Sequence, residues 1–263
     1  MIASKFSEFI GIVKKLRTEC PWDKEQTNDS IKAATLEEAY EVVEAIDKKD
    51  DEEFKKELGD LFFHIIFHSI IAEEAGKFTL ENVIESIKEK LIRRHPHVFG
   101  NVEVNGSEDV KKNWEVIKLD EGRESVLDGV PERLPSLHRA YRLQEKAAKV
   151  GFDWDKKEDV WKKVTEEIEE MHNSEKEETR EELENEIGDV FFALTNYARF
   201  LGINPESALR LTNEKFINRF HYIEKKVNES GRKINESNLE EMDKYWNESK
   251  SQFPPKIGGL ASG

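Results

Sequence analysis

Apolar residues recur at steps of three and four along most of the chain, the spacing that gathers them on one side of an α-helix. Phe6, Phe9, Ile10, Val13 and Leu16 predict an amphipathic helix over residues 3–17, closed by Cys20-Pro21-Trp22-Asp23. Helices are predicted at 30–47 and 51–75, the second stopped by Gly76. Only a short charged turn separates them, so they form an antiparallel hairpin. From Leu61 to Ile71 the second of these helices is apolar nearly all round, and more than one neighbour must cover it. Two more helices follow at 79–95, closed by His95-Pro96, and at 107–121.

Gly and Pro then punctuate residues 125–135, which reads as a linker between a first domain at 1–124 and a second at 136–250. Beyond the linker the pattern starts again. Ser136–Lys149 repeats the opening helix, Gly151-Phe152-Asp153-Trp154 takes the place of Cys20–Asp23, and a second hairpin follows. Alternating strand patterns are missing, so the fold class is all-α, with two tandem helical domains. The tail, 251–263, is expected to be disordered.

Both hairpins carry an acidic motif. Glu37-Glu38-Ala39-Tyr40-Glu41 and Glu57-Leu58-Gly59-Asp60 return as Glu166-Glu167-Ile168-Glu169-Glu170 and Glu186-Ile187-Gly188-Asp189. The offset is constant at 129 residues, from Glu38 to Glu167, Glu41 to Glu170, Glu57 to Glu186 and Asp60 to Asp189. Residues three apart share a helical face, so each motif presents paired carboxylates that repel unless a cation sits among them. Oxygen ligands without Cys or His suit magnesium, with manganese the alternative. In so acidic a chain most Glu pairs are solvated faces, and Thr35 with Glu38 also fits a capping box. The second copy argues against capping alone, because Thr165 is followed three residues later by Ile168 while the acid Glu167 remains. Gly59 and Gly188 sit mid-helix between the acids at a cost of about 1 kcal/mol each, which predicts close approach of another group there.

Lys90 with Arg94 recurs as Lys215 with Arg219, each pair four apart on one face and suited to holding phosphate oxygens. Trp114 and Trp246 are candidates to stack on a base, against a plain packing role. His64 and His68 follow Asp60 at four-residue steps, but Ala193 and Tyr197 stand there in the second copy, which favours core histidines. No Walker-type phosphate loop occurs.

The net charge of −15 excludes a general nucleic-acid or anionic-membrane binder, since both need a basic footprint. A lone cysteine, Cys20, points to a reducing compartment. The longest apolar stretch, Leu61–Ala72, falls well short of the ~20 residues of a membrane span, and Met1–Leu16 lacks a signal peptide's apolar run. A cytoplasmic protein is expected.

Taken together, Cys20-Pro21-Trp22-Asp23, the two acidic motifs, Arg93-Arg94-His95-Pro96-His97-Val98-Phe99 and the tandem arrangement resemble the MazG family of nucleoside triphosphate pyrophosphohydrolases. The resemblance runs to about Lys250 and implies helical hairpins that assemble with another copy into four-helix bundles, usually as a homodimer. It implies magnesium-dependent hydrolysis of NTPs and dNTPs to monophosphate and pyrophosphate. By motif, Glu167, Glu170, Glu186 and Asp189 would bind metal, with Lys163, Lys215, Arg219 and Trp246 on the nucleotide and Glu166 as a candidate proton acceptor, alongside Glu37. The first-half counterparts are Glu38, Glu41, Glu57, Asp60, Lys90, Arg94 and Trp114. One departure is that Thr179–Asn185 has no Lys, leaving Arg180 as substitute. A non-catalytic nucleotide-binding scaffold, or a pyrophosphatase narrower in substrate (dUTP, dCTP or phosphoribosyl-ATP), is the alternative.

Overall fold

The computed structural model describes residues 1–121, 124–177 and 179–252. Among them every regular element is helical, and no helix is long and apolar enough to cross a membrane. The chain divides into two compact units, Met1–Trp114 and Glu115–Gly263.

The first unit contains α1 (Ile2–Glu19), α2 (Pro21–Glu25), α3 (Lys32–Lys48), α4 (Asp51–Glu74), α5 (Leu80–Arg94) and α6 (Pro96–Phe99), and α7 (Ser107–Asp120) runs across the boundary. The α3–α4 turn is tight because Lys49 adopts a left-handed conformation, φ 57°. Asp50 then caps α4 by accepting the Glu53 amide, and Asp51, Glu52 and Glu53 fill its first turn, where the helix dipole favours negative charge. Gly76, at φ 67°, lets the chain leave α4, and Thr79 with Asn82 forms a capping box that starts α5. The hairpin packs on α1 around Val13, Ile31, Ile66, Phe67, Ile70 and Ile71. Arg17 ties the α2 loop to the end of α4, donating to the Asp23 and Gln26 carbonyls and pairing with Glu74 at 2.8 Å.

The second unit repeats this order with α8 (Ser136–Lys149), α9 (Lys157–Glu177), α10 (Arg180–Phe200), α11 (Pro205–Glu229), a single 3-10 turn (Ile234–Glu236) and α12 (Leu239–Gln252). Its core is Val160, Val164, Ala193, Ile223 and Val227. Lys146, only 3% exposed, stands 129 residues beyond Arg17 and likewise reaches back to carbonyls, those of Val126 (2.9 Å) and Asp128 (3.1 Å). Arg199 pairs with Asp153 and holds the segment between α8 and α9.

The predicted helices are present with ends shifted by a residue or two, and α8 has the bounds read from the sequence. Cys20–Asp23 does more than end α1, since Pro21 opens a short helix of its own. Residues 251 and 252, expected in the tail, close α12, and 253–263 lie outside the described residues.

Candidate active site

The antiparallel pairing of α3 and α4 brings Glu38, Glu41 and Glu57 together, with one oxygen from each within 4.8 Å of the others. Glu57 is buried, and its carboxyl is pushed up to about 7 by burial first, then by hydrogen bonds shared with Glu53 and Glu41. Burial also raises Glu38, helped by the charges of Glu41 and Asp60 and opposed by His64. Asp60 is close enough to act on Glu38 but stands outside the tight set.

On α9 and α10 the matching set is Glu167, Glu186 and Asp189. Glu170 hydrogen-bonds Glu167 from outside it, and its carboxyl is raised by burial, then by Glu167. Here the repulsion is met differently. Lys163 places its ammonium 2.7 Å from Glu166 and 2.7 Å from the buried Glu167, and these two hydrogen bonds raise its pKa, Glu166 contributing more. The equivalent first-half position is Ala34, so α3 offers the first set no counterpart of this ammonium.

The structure agrees with the argument against capping at Glu38. Thr35 makes no capping box, since α3 starts at Lys32 after Ile31 with no side-chain cap. Its hydroxyl stands instead 2.9 Å from His64 Nδ1 and 2.8 Å from His68 Nε2, and His68 Nδ1 lies 2.7 Å from Asn28 Oδ1. This polar chain ends beside Glu38, whose Oε1 is 3.9 Å from His64 Nε2. Sequence reasoning missed it because its partners lie about thirty residues apart in the chain. Gly59 and Gly188 are not closely approached either, as a Cβ at each would meet nothing within 4 Å in the chain itself.

The basic residues stand on helices beside the hairpins, α5 touching α4 and α11 touching α10. Arg219 is buried on α11 with its guanidinium 5.5 Å from the Trp246 ring, which also packs on Phe216. Lys215, one turn earlier, is half-buried. Lys90 lines an open groove with Phe78, Asn82, Val83, Ser86 and Ile87, and Arg94 is half-buried in the last turn of α5. Trp114 meets His95 edge-on at 5.2 Å, a packing contact. Arg180 opens α10 and is exposed, after the capping box of Thr179 and Glu182.

The MazG nucleotide pyrophosphohydrolase domain family matches the chain twice, at residues 26–99 and 156–223. The nucleoside triphosphate pyrophosphohydrolase/pyrophosphatase MazG of Thermotoga maritima is 43% identical over 250 residues, covering 93% of this chain and 95% of that protein. The chain belongs to the MazG family. A nucleoside triphosphate pyrophosphohydrolase of Escherichia coli K12 is 40% identical over 95% of this chain and 98% of its own length. The uncharacterized YabN of Bacillus subtilis is 47% identical over 95% of this chain and 52% of its own length.

The two MazG segments hold all eight acids together with Lys90, Arg94, Lys163, Lys215 and Arg219, while Trp114 and Trp246 lie beyond them. The MazG hairpins also share an exposed apolar stripe. Leu58, Phe62 and Ile65 on α4 recur as Ile187, Phe191 and Leu194 on α10, all exposed in the single chain.

Proposed function

We propose that this chain is a cation-dependent nucleoside triphosphate pyrophosphohydrolase that cleaves NTPs and dNTPs to the monophosphate and pyrophosphate. The observation that carries the reading is the pair of three-carboxylate sets on matched MazG hairpins, and the activity named for the T. maritima and E. coli relatives supports it. The donor set fits a hard divalent ion such as magnesium or manganese, because oxygens alone converge there, and burial first, with the neighbouring carboxylates adding to it, has raised Glu57 and Glu38. Glu167, Glu186 and Asp189, with Glu170 beside them, would hold the ion in the second half, and Glu38, Glu41, Glu57 and Asp60 in the first. Such an ion, when bound, would supply positive charge that stabilises the charge developing as pyrophosphate leaves.

The rest falls to the chain's own groups. Lys163, Lys215 and Arg219 neutralise the triphosphate, and Arg219 with Trp246 offers a cationic and aromatic face to the nucleoside. Water adds its oxygen to phosphorus, the α,β-bridging P–O bond breaks, and the water's proton passes to a neighbouring carboxylate, for which Glu166 in the second half and Glu37 in the first are the candidates. The recurring apolar stripes of α4 and α10 fit a second copy of the chain, because isologous interfaces use one patch twice. Lone Cys20 fits a cytoplasmic enzyme.

The test is pyrophosphate release from a panel of NTPs by Glu186→Ala/Asp189→Ala, by Glu57→Ala/Asp60→Ala, and by the two combined. The combined variant should be inactive. Full activity in it refutes the assignment.

A further inference from the structure

We propose that Lys163 makes the second acid set take its divalent ion together with a triphosphate and resist the free ion, whereas the first set, with Ala34 in that place, takes the free ion. This rests on the reading of both sets as cation sites, and names the residue that sets them apart.

The two halves repeat their acids at a constant offset and differ in the charge placed among them. On α9 the Lys163 ammonium lies 2.7 Å from Glu166 and 2.7 Å from Glu167. Glu167 is only 7% exposed and gives an oxygen to the three-carboxylate set, so the ammonium already holds one of the groups on which an ion depends. The contact is local. Residues three and four apart lie side by side on a helix, and Lys163 reaches both glutamates from its own element. Lys162 beside it pairs with Asp159 at 3.2 Å. On α3 the position three residues before Glu37 and four before Glu38 is Ala34, and Lys32 is paired with Asp29 at 2.6 Å. The first set has no such link from its own helix.

A dication and an ammonium on one carboxylate repel, and at a buried carboxylate water screens that repulsion poorly. A free ion entering the second set must displace Lys163 or share Glu167 with it, and either lowers its affinity. A triphosphate reverses the balance. The lysine side chain is 40% exposed on a flexible four-carbon stem, so its ammonium can leave Glu167 for phosphate oxygens, which together carry more negative charge than one carboxylate. Glu167 is then open to the ion, and Glu166 is released with it. Such coupling is reciprocal, since the factor by which nucleotide strengthens ion binding is the factor by which the ion strengthens nucleotide binding.

The experiment is equilibrium dialysis of Mn²⁺ against the full chain, with Glu57→Gln/Asp60→Asn to isolate the second set and Glu186→Gln/Asp189→Asn to isolate the first. Lys163→Met should bind free Mn²⁺ at the second set about tenfold more tightly than its parent. With a saturating non-hydrolysable α,β-methylene triphosphate the order should reverse, the same variant holding the Mn²⁺ complex about tenfold more weakly. Chelation by the analogue in solution is the same for both proteins and drops out of the comparison. Ala34→Lys should carry the effect into the first set and weaken free Mn²⁺ there about tenfold. Free Mn²⁺ bound no more tightly by Lys163→Met, or a change of the same sign with and without the analogue, overturns the proposal and leaves the acid sites standing. A parent protein that takes up no Mn²⁺ even with the analogue overturns the cation reading as well. Should Lys163→Met fail to fold, Ala34→Lys decides alone, and unchanged Mn²⁺ affinity at the first set overturns the proposal.

Discussion

Filling the first acid cluster with a divalent ion must expel a proton, and the amount follows from Glu57. Its carboxyl is pushed up to about 7, chiefly by burial and by hydrogen bonds with Glu53 and Glu41, whereas a metal ligand must be ionised. At pH 6 Glu57 is about 90% protonated and at pH 8 about 10%, so uptake of Mg²⁺ should release about 0.9 proton from this residue at pH 6 and about 0.1 at pH 8. Glu38, also raised, adds to the release on the acid side. Apparent affinity should fall up to about tenfold per pH unit below pH 7. Linkage gives the sign for stability. A carboxyl whose folded pKa lies above its unfolded value binds more protons in the folded state, so the cation-free protein loses stability as pH rises from about 4.5 to about 7. Bound cation should offset this loss, most fully above pH 7. Calorimetric titration of the Glu186→Gln/Asp189→Asn protein in buffers of different ionisation enthalpy measures the protons directly. Equal release at pH 6 and pH 8 would refute the assignment of a shared proton to this cluster.

Three further outcomes are expected. Lys163→Ala should lower kcat/KM by about 10- to 100-fold through loss of a charge-assisted phosphate contact, yet strengthen binding of Mn²⁺ alone at the second cluster, where the ammonium now bonds Glu167; weaker Mn²⁺ binding would contradict that position. Gly59→Ala and Gly188→Ala meet no atom in the chain, so each should raise helix stability by about 0.5–1 kcal/mol in thermal unfolding; a loss would show that a second chain or the substrate closes on the glycine. Ile187→Glu/Phe191→Glu should convert a dimer to monomers in light scattering, and an unchanged mass would remove the α10 stripe from the interface.

The fold was legible where local rules suffice. Ser136–Lys149 has its bounds written in the sequence, and Gly76 stops α4 with the positive φ that a glycine supplies most easily. The acids were legible because duplication at a fixed offset separates a required carboxylate from one of many solvated ones. What was hidden depends on contacts across the fold. Nothing local to Thr35 says that it sits between two imidazoles from α4 rather than at a helix start. Lys163 was assigned to phosphate by motif, while its three- and four-residue spacing to Glu166 and Glu167 already allowed the contacts it makes. At Gly59 and Gly188 the group expected to approach closely is not part of this chain, which leaves open space there.

The grip of Lys146 on the carbonyls of Val126 and Asp128 has a practical consequence for anyone dissecting the two halves. A fragment begun at Ser136, the first residue of α8, would strip both acceptors from a buried ammonium and should be poorly soluble or unfolded. Begun at Ser125, the same half keeps them. The stretch that punctuates the sequence like a tether is thus the first piece of the second half's own scaffold, and a cut that respects composition alone would fall inside it.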